Sequence, residues 1–155
     1  MNSRSLASLA LGGLVVLGTA GCAAITHQAT TIQYSPADGV NIPVGDDSPV
    51  EILNTLIVAN EDGTDGNLVA AFVNKTDEPV TVTLSWNGGG AEVDVPADET
   101  LSLGGEDDPV LLEGIDTPAG ATLPIAFSTG GEPVQAEVQV FDEELGYLEG
   151  LAPSE

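Results

Sequence analysis

Residues 79–86, PVTVTLSW, alternate without a break: Val80, Val82, Leu84 and Trp86 fall on one face of an extended chain, Thr81, Thr83 and Ser85 on the other. Successive side chains of a strand point to opposite faces, so a period of two marks a strand with one buried and one wet side. NGGG (87–90) then supplies a glycine-rich return into AEVDV (91–95), as a hairpin requires. The same signal stands near the far end of the chain, where PVQAEVQVF (133–141) puts Val134, Ala136, Val138 and Val140 on one face.

Between and before these strands the chain supplies partners. VEILNTLIVA (50–59) and NLVAAFVN (67–74) are β-branched and aliphatic almost throughout, separated by the polar NEDGTDG (60–66) and closed by KTDEP (75–79). Near-continuous apolar runs of this length, bounded by turn residues, predict neighbouring strands that are largely buried. ETLSL (99–103), VLLEGI (110–115) and ATLPIAFS (121–128) complete the set, with Pro124 marking an edge or a bulge. No stretch has helical spacing. Seven or eight short strands with Gly/Pro turns predict an all-β, antiparallel, immunoglobulin-like sandwich over residues 46–141. The acidic tail DEELGYLEGLAPSE (142–155) is expected to trail off the last strand, with at most a short turn around Leu145, Tyr147 and Leu148.

The N-terminal third has a different character. Residues 1–5 carry one positive charge, Arg4, and residues 6–20 carry none. That is the order of a secretory signal, and the apolar stretch is shorter than the roughly 20 residues of a membrane span. It ends in LGTAGC (17–22), which resembles the lipobox of bacterial lipoproteins, with Thr19 where Leu is usual. The resemblance implies that residues 1–21 are removed and that Cys22 becomes a first residue carrying acyl chains such as palmitate. Each buried CH2 contributes about 0.8 kcal/mol, so two or three chains hold a protein on a membrane. Residues 22–45 would be the tether, in which ATTIQY (29–34) alone has strand character. Cys22 is the only cysteine, which leaves no disulfide or dithiol chemistry. The expected location is the extracytoplasmic face of the cell membrane.

The formal charge is −23, and removal of Arg4 with the signal leaves Lys75 alone against 25 carboxylates, a charge of −24. Nucleic acid binding needs clustered Lys and Arg and is excluded. Attraction to anionic lipid is excluded for the same reason, so attachment rests on the acyl chains. The carboxylates form a solvated, self-repelling surface that salt would screen.

ILNTLIVANEDGTDGNLVAAFVNKTDEPVTV (52–82), preceded by a lipobox and a Thr/Gln-containing lead, resembles the LpqE-type lipoproteins of mycobacteria and other actinobacteria. Those are in turn similar to the PCu(A)C copper chaperones, which share a strand ending in an Asn-x-x-Asp-Glu turn (74–78) and a later PAG (118–120). The resemblance covers most of residues 50–141 and implies a cupredoxin-like β-sandwich and a link to copper. That family binds copper through His and Met, soft ligands suited to Cu(I). Here Met1 leaves with the signal, His27, the only histidine, stands five residues past Cys22, and no position matches the copper motif. The ligands implied by the resemblance are therefore missing from the sandwich.

Other chemistry is thinly represented. Nucleophilic catalysis needs a positioned imidazole, and His27 in a tether offers none, so no enzymatic activity and no resident cofactor are expected. Oxygen ligands for a hard cation gather in two loops, Asp62 and Asp65 in 60–67 and Asp107 and Asp108 in 105–109. The first loop does not match the EF-hand, because Gly63 stands at the third position and Phe72 at the twelfth. NGGG lacks an adjacent Lys or Arg and reads as a turn, while Trp86 shares the parity of core residues. The sequence thus points to a non-catalytic envelope binding or accessory module with a protein partner. The alternative is a metal-handling protein, either a diverged copper chaperone or a carboxylate-based calcium binder.

Overall fold

The computed structural model describes residues 37–45 and 47–154. Cys22, His27, the signal segment and ATTIQY lie outside the described residues. Nine strands follow one another: β1 (Val40–Ile42), β2 (Val50–Ala59), β3 (Gly66–Asn74), β4 (Val80–Trp86), β5 (Gly89–Val95), β6 (Thr100–Leu103), β7 (Val110–Leu112), β8 (Thr122–Ser128) and β9 (Val134–Phe141). Among the described residues no helix is long and apolar enough to cross a membrane.

The hairpin read from NGGG forms, with β4 and β5 paired from Val80↔Val95 to Trp86↔Gly89. The two apolar runs also pair as neighbours, β2 against β3. The strand order is β5-β4-β8-β9-β2-β3-β6, with β1 beside β2 and β7 beside β3. Two antiparallel halves meet at one short parallel pair, Ile57↔Val140 and Val58↔Phe141 between β2 and β9. The expectation of a purely antiparallel sandwich is corrected here: the sheet is mixed, and nearly closed. Two residues of parallel pairing leave no mark on hydrophobic periodicity, which is why the pattern did not announce them. The first strand, β1, lies within residues 22–45, the stretch read as a tether that could carry one short strand. Its three residues are too few to show a period.

β2 carries a bulge that decides which side chains reach the core. Its pairing with β3 steps from Leu53↔Ala71 to Leu56↔Val69, so Asn54 and Thr55 oppose Ala70 alone. One extra residue reverses the parity of everything after it. Val50 and Ile52 point into the main core before the bulge, and Ile57 and Ala59 after it. Asn54 takes φ 50°, a left-handed conformation that Asn tolerates better than most residues. Its side chain accepts from Gly39 N at 3.0 Å, while its own N–H donates to Asn41 Oδ1 at 2.9 Å. A Cβ on Gly39 would lie 2.4 Å from the Asn54 carbonyl carbon, so only glycine allows the lead into β1 to come this close.

The main core joins Ile52, Ile57, Leu68 and Phe72 of β2 and β3 to Val82 and Leu84 of β4, Ile125 and Phe127 of β8, and Val138 and Val140 of β9. Each large aliphatic or aromatic side chain so buried contributes about 1.5–3 kcal/mol. Val80 and Trp86, at the ends of the alternating stretch, are half-buried against this core. Pro124 sits in the half of β8 that β4 leaves uncovered, since β4 pairs only with residues 126–128. An edge position needs no N–H from it.

A second, smaller cluster lies on the other face of β2. Leu56 and Val58 meet Leu148 there, with Val69, Phe141, Leu151 and Ala152 around them. The expectation that residues 142–155 trail off the last strand is corrected by this contact: Leu148 is 2% exposed. The run LIVA (56–59) is apolar on both faces because the tail covers the second one.

Candidate functional site

The β2–β3 loop is organised by Asn60. Its Oδ1 accepts from Thr64 N at 3.0 Å and Asp65 N at 3.3 Å, and its Nδ2 donates to Thr64 Oγ1 at 3.0 Å. Side-chain caps of this kind let a tight loop satisfy its own N–H groups. The segment after β7 crosses over it, with Thr117 N donating to Gly63 O at 2.7 Å and Ile115 N to Thr64 O at 2.8 Å. Gly63 (φ 68°) faces Pro118 so closely that a Cβ would lie 2.8 Å from its Cα.

Those bonds fix the role of two of the four carboxylates that the sequence singles out for a hard cation. Asp65 Oδ1 accepts from Gly114 N at 2.8 Å, tying the loop to the segment that crosses it. Asp107 Oδ2 accepts from Ser102 N at 2.9 Å and closes the β6–β7 loop. Asp62 is exposed beside a cleft, and Asp108 is exposed on the other loop. Among the described residues no three His, Cys, Asp or Glu side chains come together as metal ligands. The acidic density of the two loops is thus used partly in loop closure, and the structure does not assemble the four into one site.

The cleft itself has about 670 Å3 of space and lies between the β2–β3 loop and the tail. Glu61 and Asp62 line it from the loop, and Asp142, Glu143 and Glu144 from the tail. Sequence reasoning missed the three tail carboxylates because they are some 80 positions away and reach the loop through the pairing of β9 with β2, where Phe141 lies beside Val58, together with the docking of Leu148. The turn after β3 holds another residue missed as structural: Asn74, 3% exposed. Its Nδ2 donates to the carbonyls of Glu78 at 2.8 Å and Pro96 at 2.9 Å, and its Oδ1 accepts from Thr76 N at 2.9 Å. The Asn-x-x-Asp-Glu turn is held from inside by that amide.

β5 presents the other feature open to a partner. Along its seven residues it pairs with β4 on one side, and among the described residues it has no ladder on the other. Glu92 and Asp94 project from its exposed face, and Thr81 Oγ1 donates to Asp94 Oδ1 at 2.6 Å across the hairpin.

No family model and no curated protein matches the chain. Among solved structures, a copper-bound PCuAC domain from PmoF2 is similar over 61% of this chain and 94% of that one, at 16% identity and a TM-score of 0.48. A likeness at that level carries nothing about metal or partner to the present chain.

Proposed function

We propose that the protein is a lipid-anchored module of the cell envelope that binds another envelope protein and has no catalytic activity of its own. The observation that carries this reading is the side of β5 that has no strand partner among the described residues: a seven-residue edge whose N–H and C=O groups accept an added strand without any dedicated side-chain motif. The lipobox-like LGTAGC supports the anchor. The confinement of Met1, Cys22 and His27 to the first 27 residues argues against a soft-metal centre within the sandwich.

Three experiments test the parts separately. Cys22→Ala is expected to move the protein from the membrane fraction to the soluble fraction; retention at the membrane would remove the lipid anchor. Crosslinking from a photoreactive residue at Glu92 is expected to capture a discrete envelope protein, and the absence of any discrete product would remove the strand-addition reading. Titration with Cu(I), Cu(II) and Ca2+ should give only weak binding that salt erases. A stoichiometric site of micromolar affinity surviving salt would replace this reading with metal handling.

A further inference from the structure

The tail is seated by few contacts and opposed by charge. Beyond the Leu148 cluster, its side-chain links to the rest of the domain among the described residues are Asn67 Nδ2 donating to Leu151 O at 2.9 Å and Tyr147 Oη donating to Asp38 Oδ2 at 2.5 Å. Its remaining polar bonds close on itself: Glu143 Oε1 accepts from Gly150 N and Ala152 N, and Glu144 N donates to Asp142 Oδ1. Its release leaves few groups of the domain without a partner, and a segment this short does not hold its own hydrogen bonds in water once undocked.

The end of β9, paired with β2, and the docked tail after it hold Asp142, Glu143 and Glu144 at the cleft that Glu61 and Asp62 also line. The single Lys or Arg of the described residues, Lys75, is paired elsewhere, with Glu51. A sphere of 670 Å3 is about 11 Å across, close to the ~10 Å Debye length at 0.1 M and several times the ~3 Å at 1 M. Repulsion across the cleft therefore persists in dilute salt and is screened in concentrated salt.

We propose that residues 142–154 are a displaceable strap over the outer face of β2 and β3, seated by Leu148 and governed by ionic strength. Salt holds it closed, and falling salt releases it to uncover Leu56, Val58, Val69 and Phe141. The apolar plug supplies the attraction, which salt does not weaken, and the five carboxylates supply the opposition, which salt removes. This device stands independently of the binding reading above.

Amide hydrogen exchange on the full chain tests it. Between 0.05 and 1 M NaCl, exchange at Leu148, Gly150, Leu151 and Ala152 is expected to slow by about three- to tenfold relative to amides of β4 and β8. In a Glu61→Gln/Asp62→Asn variant these tail amides should already be slow at 0.05 M and respond little to salt. A Glu106→Gln/Asp108→Asn variant, which removes the same charge from the β6–β7 loop, should keep the wild-type response. An equal salt response in all three proteins, or none in the wild type, would overturn the strap.

Discussion

Two buried polar residues, Thr55 and Asn74, predict opposite outcomes on removal of their polar groups. Asn74 satisfies carbonyls from two different turns and an N–H from its own. Asn74→Ala leaves those groups unpartnered in a buried place, and the expected loss is about 2–4 kcal/mol in urea unfolding. Thr55 is fully buried, and its hydroxyl finds no partner among the described residues. Thr55→Val keeps the shape and removes the desolvated oxygen, so it should raise stability by about 1 kcal/mol. A loss in Thr55→Val would show that the hydroxyl has a partner after all. Tyr147 belongs to this scale too. Its hydrogen bond to the Asp38 carboxylate, and secondarily partial desolvation and the nearby charge, push its pKa above the ordinary 10.0. A folded-state value above the unfolded one means that this link is fully present below about pH 10 and is lost as pH rises through the folded value. In an alkaline absorbance titration, Asp38→Asn should move one of the two tyrosine transitions to lower pH. An unchanged titration would mean that the contact does not persist in solution.

At the scale of the strand, the sequence is most readable where one pattern serves one face. β4 shows this: Val82 and Leu84 are fully buried and Thr81, Thr83 and Ser85 exposed, as PVTVTLSW predicts. β2 is harder to read, because the bulge reverses parity midway and a remote tail buries the face that would otherwise be wet. Ten apolar-rich residues look alike whether the second cover is a sheet or a strap. The parallel junction of β2 with β9, and the meeting of Glu61 and Asp62 with Asp142, Glu143 and Glu144, depend on contacts across some 80 residues and leave no local trace. The bulge is partly visible in retrospect, as a lone Asn between Leu53 and Thr55 in a β-branched run. Its backbone demand is testable by comparing substitutions. Asn54→Gly keeps access to φ 50° but loses the bond from Gly39, whereas Asn54→Val loses both. Asn54→Val should be less stable than Asn54→Gly by about 1 kcal/mol. Equal stabilities would indicate that β2 shifts register to relieve the strain.

For the whole molecule, charge is the dominant fact. The described domain holds one lysine, paired with Glu51, and the full chain has 25 carboxylates. Repulsion among them is a cost of compactness that the unfolded chain, with its charges farther apart, partly escapes. The hydrophobic clusters offset this cost, yet they are those of a small all-β domain, and they reside mostly between the two halves of one mixed sheet. Stability should therefore depend on ionic strength well beyond what an ordinary neutral domain shows. Between 0.05 and 1 M NaCl the melting temperature is expected to rise by about 5–10 °C, which for a domain of this size corresponds to roughly 1–2 kcal/mol. Calorimetry with choline chloride in place of NaCl separates screening from specific sodium binding, since screening follows ionic strength and not the cation. A flat melting temperature in both salts would mean that the carboxylates lie too far apart to interact. In that case the strap's response to salt, if observed, would have to arise within the cleft itself, which Glu61 and Asp62 line together with Asp142, Glu143 and Glu144.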